Sequence, residues 1–376
     1  MLTRMLIKNF KSFEHETEID FTTTNYKFLL DTNSKEGVLN GTIFIGANAS
    51  GKTNIIKAIK KILELLFANK LVDLSQDRCV FSEEKDIILE YDFKIENHII
   101  TYHIEFKLKE EILIEKLYVN GKKIINRIGD KAESKITEST LFTELDNNSL
   151  IVREIYFNTK FRGHDTLKKW MDFLYNSIFV DAYLGSASSL DNFALRLDDY
   201  LEENGVGQIN DFFNEFNFEQ NIEYTQDCIG KSIRIKDEEE KNIFFKRKGV
   251  GKPIPFAWES LGNRNLLQLL PMFFHAINNN SMLIIDEFSS GFHNSLEELL
   301  VRYFMEKSNN SQLFLVTHST NLLSNSLLRP DQIYTVTFEN GKGSSIERVS
   351  DEQPREAQNV EKMYLSGVFG AIPRYR

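Results

Sequence analysis

The chain opens on short segments in which apolar and polar residues exchange places. Leu6-Ile7-Lys8-Asn9-Phe10 and Thr17-Glu18-Ile19-Asp20-Phe21 read as a pair of short strands, and Thr42-Ile43-Phe44-Ile45 as a compact apolar strand that runs straight into Gly46. From Thr53 to Ala68 the apolar positions Ile55, Ile56, Ile59, Ile62, Leu63, Leu66 and Phe67 recur at helical spacing. That spacing predicts an amphipathic helix of about four turns. Between residues 80 and 125 the period becomes two: Ile87–Phe93, Ile99–Phe106 and Ile112–Val119 alternate, and Asn120-Gly121 supplies a tight turn before Lys122–Ile125. An antiparallel meander is expected there, followed over 126–149 by a polar surface loop.

Residues 164–225 interleave Phe and Leu with acids at helical spacing, most clearly Phe193–Leu201 and Ile209–Phe218, which predicts a small helical lobe. Beyond Ile243-Phe244-Phe245, the segment Lys246–Pro255 reads as a basic hairpin or loop. The pattern then returns to helix (Arg264–Ala276), strand (Met282–Ile285), helix (Leu296–Glu306) and strand (Leu313–Thr317). Such alternation implies a mostly parallel, doubly wound α/β sheet. The expected organisation is an N-terminal part over 1–160 that carries the meander, a helical insertion over 161–245, and a C-terminal part over 246–376.

Composition narrows the class. Of the 376 residues 41% are hydrophobic, with 30 Phe, so a large core is available, while 6 Pro and 19 Gly leave no room for long linkers. Two cysteines, Cys79 and Cys228, make no disulfide framework and lack zinc-ligand spacing, which points to a reducing cytoplasm. No apolar run approaches the roughly 18 residues of a membrane helix, and the first residues turn polar too soon for a signal peptide. No membrane partner is expected. A net charge of −10 disfavours nucleic-acid binding by bulk electrostatics, although a local basic patch such as Lys246-Arg247-Lys248-Gly249-Val250-Gly251-Lys252 remains a candidate. The same seven residues read better as a solvated hairpin tip, since no aromatic platform accompanies them.

The chemistry concentrates in Gly46-Ala47-Asn48-Ala49-Ser50-Gly51-Lys52-Thr53, a full G-x-x-x-x-G-K-[ST] match between an apolar strand and a helix. The glycines let backbone amides converge on phosphate oxygens and the helix N-terminus adds its dipole. Lys52 is expected to neutralise the β- and γ-phosphates of ATP, the Thr53 hydroxyl to bind Mg²⁺, and Asn54 to continue the nucleotide contact. Met282-Leu283-Ile284-Ile285-Asp286-Glu287 is an apolar strand that ends in two carboxylates. Asp286 would hold the Mg²⁺ shell and Glu287 would act as general base toward water. Leu313–Thr317 ends in His318, either a structural residue or a γ-phosphate sensor. Glu259-Ser260-Leu261-Gly262-Asn263-Arg264 opens a helix. Ser260 is a helix cap, or with Gly262 it presents a hydroxyl and a helix N-terminus to the nucleotide of another subunit.

In this order the motifs resemble the P-loop ABC-type ATPase head of SMC and RecF-type proteins. Leu6–Phe13 is similar to their opening strand, and Ser289-Ser290-Gly291-Phe292-His293 falls at their D-loop. Tyr364–Pro373, with Leu328-Arg329-Pro330-Asp331-Gln332-Ile333, resembles abortive-infection AAA/ABC-type ATPases, a group that includes AbiL-like proteins and the ATPase of PARIS defence systems. The likeness covers roughly 1–70 and 255–376 and finds no motif over 80–250. It departs from the pattern at the signature, which is not the transporter's Ser-Gly-Gly-Gln, and at His293, which stands where aspartate is usual. No Q-loop glutamine is assigned among Gln208, Gln220 and Gln226.

The resemblance implies an ATP- and Mg²⁺-dependent ATPase that closes as a dimer over two nucleotides. It further implies a sensor or regulatory role in antiviral defence, with an effector, for instance a nuclease, as partner. Only about 58 residues follow His318 and there is no Asp-x-Asp metal pair, so that effector is expected to be a separate polypeptide. A RecF-like DNA-repair or DNA-tethering ATPase is the alternative; a transporter subunit and a scaffold with little turnover rank below it.

Overall fold

Five parallel strands form the centre of a seven-stranded sheet. In spatial order they are Ile178–Asp181, Met282–Asp286, Gln312–Val316, Gly41–Gly46 and Ile333–Glu339, with antiparallel strands Ser186–Ser188 and Gly343–Arg348 at the two edges. Three of the five are buried at every position, as expected of a parallel sheet covered on both faces. The computed structural model describes residues 1–68, 74–136, 141–146, 149–182, 186–188, 196–225, 242–289, 291–339 and 341–372.

A second sheet of eight antiparallel strands runs Leu141–Phe142, Lys131–Ser134, Lys122–Ile128, Ile112–Val119, His98–Lys107, Asp86–Ile95, Leu2–Lys8, Thr17–Asp20. Between the two sheets lies the helix Lys52–Phe67, with Ile55, Ile56, Ala58, Ile59, Ile62, Leu63, Leu65, Leu66 and Phe67 buried. The Tyr91 hydroxyl of the meander donates to the Ala58 carbonyl of this helix at 2.7 Å, satisfying a buried phenol. The predicted mixed α/β architecture with an antiparallel meander is therefore the observed one.

Three expectations need correction. The polar stretch 126–149 is not a surface loop: within its described residues the antiparallel sheet continues through Lys131–Ser134 to Leu141–Phe142. Its polarity misleads because Arg127, fully buried, spends its guanidinium on the carbonyls of Gly129 (2.9 Å), Asp146 (2.6 Å) and Ser149. Glu115, equally buried, accepts from Tyr102 Oη (2.7 Å) and from the Ile151 and Val152 amides (2.8 and 3.0 Å) that begin the helix Ile151–Thr159.

The insertion is also placed differently. Helix Asp165–Tyr175 packs on the meander, with Trp170 against Phe93 and Tyr102 at ring-centroid distances of 5.9 and 5.6 Å. Together with strand Ile178–Asp181 it belongs to a first compact unit of Met1–Leu190, Ala276–Ser289 and Asn294–Arg376. The second unit, Asp191–His275 with Ser290–His293, is not purely helical. Helices Leu197–Asn204 and Gly207–Glu215 share it with a three-stranded sheet of Gln220–Thr225, Asn242–Arg247 and Ile254–Pro255. Phe212, in contact with Phe213, Phe216, Phe218 and Phe274, is at its core. Residues 193–195 of the expected helix Phe193–Leu201 lie outside the described residues.

The segment Leu328–Ile333 is a buried polar knot at the start of strand Ile333–Glu339. Arg329 and Asp331, both fully buried, make a two-pronged ion pair of 2.9 and 2.7 Å. The Arg329 Nη1 donates to the Tyr26 and Phe28 carbonyls (3.1 and 3.0 Å), and Asp331 accepts from the Thr24 amide and hydroxyl (2.7 and 2.8 Å). Burial pushes the Asp331 carboxyl up, but Arg329 and Thr24 outweigh it and hold the group below the usual aspartate range. Its contribution to stability is thus complete above the ordinary aspartate pKa and is lost as pH falls through the lower native value. Arg329→Ala leaves a buried carboxylate uncompensated and is expected to lower the unfolding free energy by about 3–5 kcal/mol, read from urea denaturation. Asp331→Asn should flatten the acid side of the stability–pH curve in the same measurement.

Candidate functional site

The strand Gly41–Gly46 turns into the helix Lys52–Phe67 through a loop that leaves no space for side chains at its two glycines. A Cβ on Gly46 would lie 2.3 Å from the Val336 carbonyl oxygen of the neighbouring strand. Gly51 has φ +108°, and a Cβ there would meet Ser344 Oγ at 2.2 Å and Ser12 Oγ at 2.8 Å. Ala49 is also left-handed, at φ 62°. The loop is pinned from outside: Ser344 Oγ lies 2.7 Å from the Ser50 carbonyl and 2.7 Å from Ser12 Oγ, and Asn54 Nδ2 donates to Ser12 Oγ at 2.8 Å. Sequence reasoning missed Ser12 and Ser344, since nothing local marks a serine some 290 residues downstream as a neighbour of the loop.

Lys52, 5% exposed, folds back on the loop and donates to the carbonyls of Gly46 (3.0 Å) and Ala47 (2.8 Å). Burial lowers its pKa, while Glu287 and Asp286 act in the opposite sense. Asp286 ends the strand Met282–Asp286, and its Oδ1 accepts from Thr53 Oγ1 at 3.1 Å, so the two expected metal-binding side chains touch. Burial raises the Asp286 pKa against the Thr53 hydrogen bond, and the charges of Glu287 and Asp181 add to the rise. A hydroxyl and a carboxylate beside a lysine form a hard-oxygen set that suits Mg²⁺ and a phosphate chain. Among the described residues no group of three or more His, Cys, Asp or Glu is arranged to hold a metal by itself, so such an ion would need oxygens from a ligand or water.

Glu287 is held in the left-handed region at φ 54°, a conformation that costs a non-glycine residue on the order of 1 kcal/mol and is frequent where a side chain must be aimed. Its Oε1 lies 3.8 Å from His318 Nε2. Burial, and next the charge of Lys52, lower the His318 pKa against the pull of Glu287, so the imidazole is neutral at pH 7. The His318 amide donates to Ser289 Oγ at 3.4 Å, tying the two strand ends together. Residues Asn48–Asn54, Lys57, Asp181, Glu287 and His318 line one cleft of about 770 Å³ at the C-terminal ends of the parallel strands. That is where open α/β sheets receive ligands. Asp181 was not anticipated: its strand of four residues is too short to show a period.

Ser260 and Gly262 lie in the second unit, where helix Leu261–Asn278 starts. Ser260 Oγ accepts from the Asn263 amide at 3.3 Å, which is the capping role. The preceding Glu259, buried, accepts from the Ser260 amide (3.1 Å), Asn263 Nδ2 (2.7 Å) and Arg247 Nη2 (2.7 Å). Gln208 and Gln220 are engaged in this unit with Tyr200 and Asn263; Gln226, Cys228 and Ser290 lie outside the described residues.

With this geometry in view, the family model described as "AAA domain, putative AbiEii toxin, Type IV TA system" matches residues 42–324, three quarters of the chain and all of the strands that end at the cleft except Ile333–Glu339. The chain belongs to that family. This AAA domain shares the fold of SMC heads. It superposes on the "SMC head domain from Thermotoga maritima" with a TM-score of 0.51 and 19% identity, over 92% of this chain and 98% of that one. A second SMC head, solved bound to the C-winged helix domain of ScpA, gives a TM-score of 0.53 at 13% identity over 94% and 99%. A comparison with curated proteins gives no match. Among the described residues, no helix of this AAA domain is long and apolar enough to cross a membrane.

The raised Asp286 carboxyl has a consequence for stability. A native pKa above the ordinary value means the ionised form opposes folding at neutral pH, and the opposition fades as pH falls through the native value. Asp286→Asn, which keeps an oxygen for Thr53, is expected to raise the ligand-free melting temperature by about 1–2 °C at pH 7 and by less at pH 4. Differential scanning calorimetry at the two pH values measures both.

Proposed function

We propose that this protein is an ATP-hydrolysing ATPase of the SMC-head type, the sensor or regulator of an abortive-infection system that controls a separate effector. The observation that carries the reading is one cleft lined by the P-loop, Glu287 and His318, with Asp286 held against its Thr53. In it the amides of residues 46–53 and the Lys52 ammonium bind and orient the phosphates. Thr53 and Asp286 would hold Mg²⁺, which supplies charge neutralisation on the β- and γ-phosphates when bound. Glu287 takes a proton from the water whose oxygen bonds to the γ-phosphorus as the bond to the β–γ bridging oxygen breaks, so that ADP and phosphate leave. His318 supplies one hydrogen bond beside it. In the second unit, Ser260 and Gly262 are offered to the nucleotide of another copy, so ATP favours a dimer by the difference in its affinity for the open and closed forms.

The family description refers to toxin–antitoxin biology, and this supports the defence role and a partner protein. The DNA-repair alternative is weakened by the hairpin that was its basis. Of the four basic side chains in Lys246–Lys252, Lys246 pairs with Glu223 and Arg247 with buried Glu259. Two of its four cations thus have acidic partners within the same unit, which reduces the charge the segment offers to a phosphate backbone.

Lys52→Ala is expected to lower ATP turnover by at least about a hundredfold, since it removes a buried cation at the phosphate loop; unchanged phosphate release would refute the catalytic reading. Glu287→Gln, which retains binding but not the base, should accumulate as a dimer on adding Mg-ATP. Light scattering of this variant that reports one mass with and without nucleotide would refute ATP-driven dimerisation.

A further inference from the structure

The strand Ile178–Asp181 lies beside the strand Met282–Asp286 in parallel register, with Asp181 directly opposite Asp286. The pairing holds to the strand ends, because the Ala182 amide donates to the Asp286 carbonyl at 3.0 Å. Asp181 is half-buried and lines the cleft together with Lys52, Thr53, Glu287 and His318. Its charge is felt across the strand gap, since it contributes to the raised Asp286 pKa. No sequence motif singles it out.

A third carboxylate is a poor choice for a cleft that must accept a triphosphate. Asp181, Asp286 and Glu287 together repel a polyanion, and Lys52 and Lys57 are the cations lining the same cleft. The arrangement becomes favourable when the polyanion arrives with a divalent cation. Mg²⁺ keeps several of its waters and takes only one or two protein oxygens directly, so a carboxylate on the neighbouring strand is suited to act through a retained water.

We propose that Asp181 is a positioning residue of the metal site: it orients the hydration shell of the divalent cation from the side of the strand Ile178–Asp181 and makes nucleotide binding conditional on that cation. The proposal rests on reading the cleft as a Mg-ATP site. Its effect is on selectivity between metal-bound and metal-free nucleotide, which a residue with a merely structural role would leave alone.

The test is equilibrium binding of a fluorescent ATP analogue to the full chain, in excess Mg²⁺ and separately in EDTA. The ratio of the two dissociation constants is the quantity of interest. In Asp181→Asn, binding with Mg²⁺ should weaken and binding in EDTA should tighten, and the ratio should shrink by about tenfold, the order of one charge–charge interaction in a partly exposed site. Asp181→Glu, which keeps the charge, should retain most of the wild-type ratio. If Asp181→Asn does not fold, Asp181→Ser removes the same charge and is read the same way. An unchanged ratio in the neutral variant, or a glutamate variant that behaves like the neutral one, overturns the proposal. A wild-type protein that binds no nucleotide even with Mg²⁺ overturns instead the reading of the cleft on which it rests.

Discussion

The cleft depends on one helix being buried along its whole length between two sheets. Lys52–Phe67 supplies a core stripe from Ile55 to Phe67 and, with the same rigid body, the two side chains that open the site. Transfer of roughly nine apolar side chains from water, at about 1.5–3 kcal/mol each, is a larger driving force than any single polar contact in the cleft. The position of Lys52 and Thr53 is therefore set by packing far from the chemistry, and the polar groups are brought into place by forces they do not generate. This explains how a lysine among carbonyls and an aspartate among acids can coexist at the end of a well-packed core.

The electrostatics of the cleft are unfavourable to the ligand-free protein. Burial depresses the Lys52 pKa and raises that of Asp286, and Glu287 occupies a backbone conformation that other residues seldom take. The buried pair Arg329–Asp331 is the opposite case, with its partners and hydrogen bonds complete and its carboxyl held below the ordinary range. The same fold thus contains a fully satisfied ionic pair at the start of a strand and less favourably placed charges at the cleft.

The parts of this arrangement that were legible in the sequence are those with a period or a fixed spacing. Gly46–Thr53, the strand ending in Asp286-Glu287 and the alternating strands of the meander carry their geometry in local order, and each element forms within a few residues of its expected ends. Arg127 and Glu115 could not be read as core, because a charged side chain satisfied by backbone groups looks the same in sequence as one in solvent. Asp181 and the hairpin Ile333–Arg348 escaped for another reason. Their importance lies in which strand they pair with, and strand order in a parallel sheet is a long-range property. Ser260 was left open between cap and ligand contact; it makes the cap hydrogen bond in the second unit.

The clamp on the phosphate loop also says something about how the protein comes into being. Ser12, Ser50 and Ser344 meet around Gly51, and the strand Gly41–Gly46 gains one of its two neighbours only from Ile333–Glu339. A ribosome that has released the first 300 residues has already exposed the loop, its helix and both acidic strand ends, yet the outer wall that holds the loop in shape is still to be made. The loop therefore reaches its final packing only after the hairpin Ile333–Arg348 has been made.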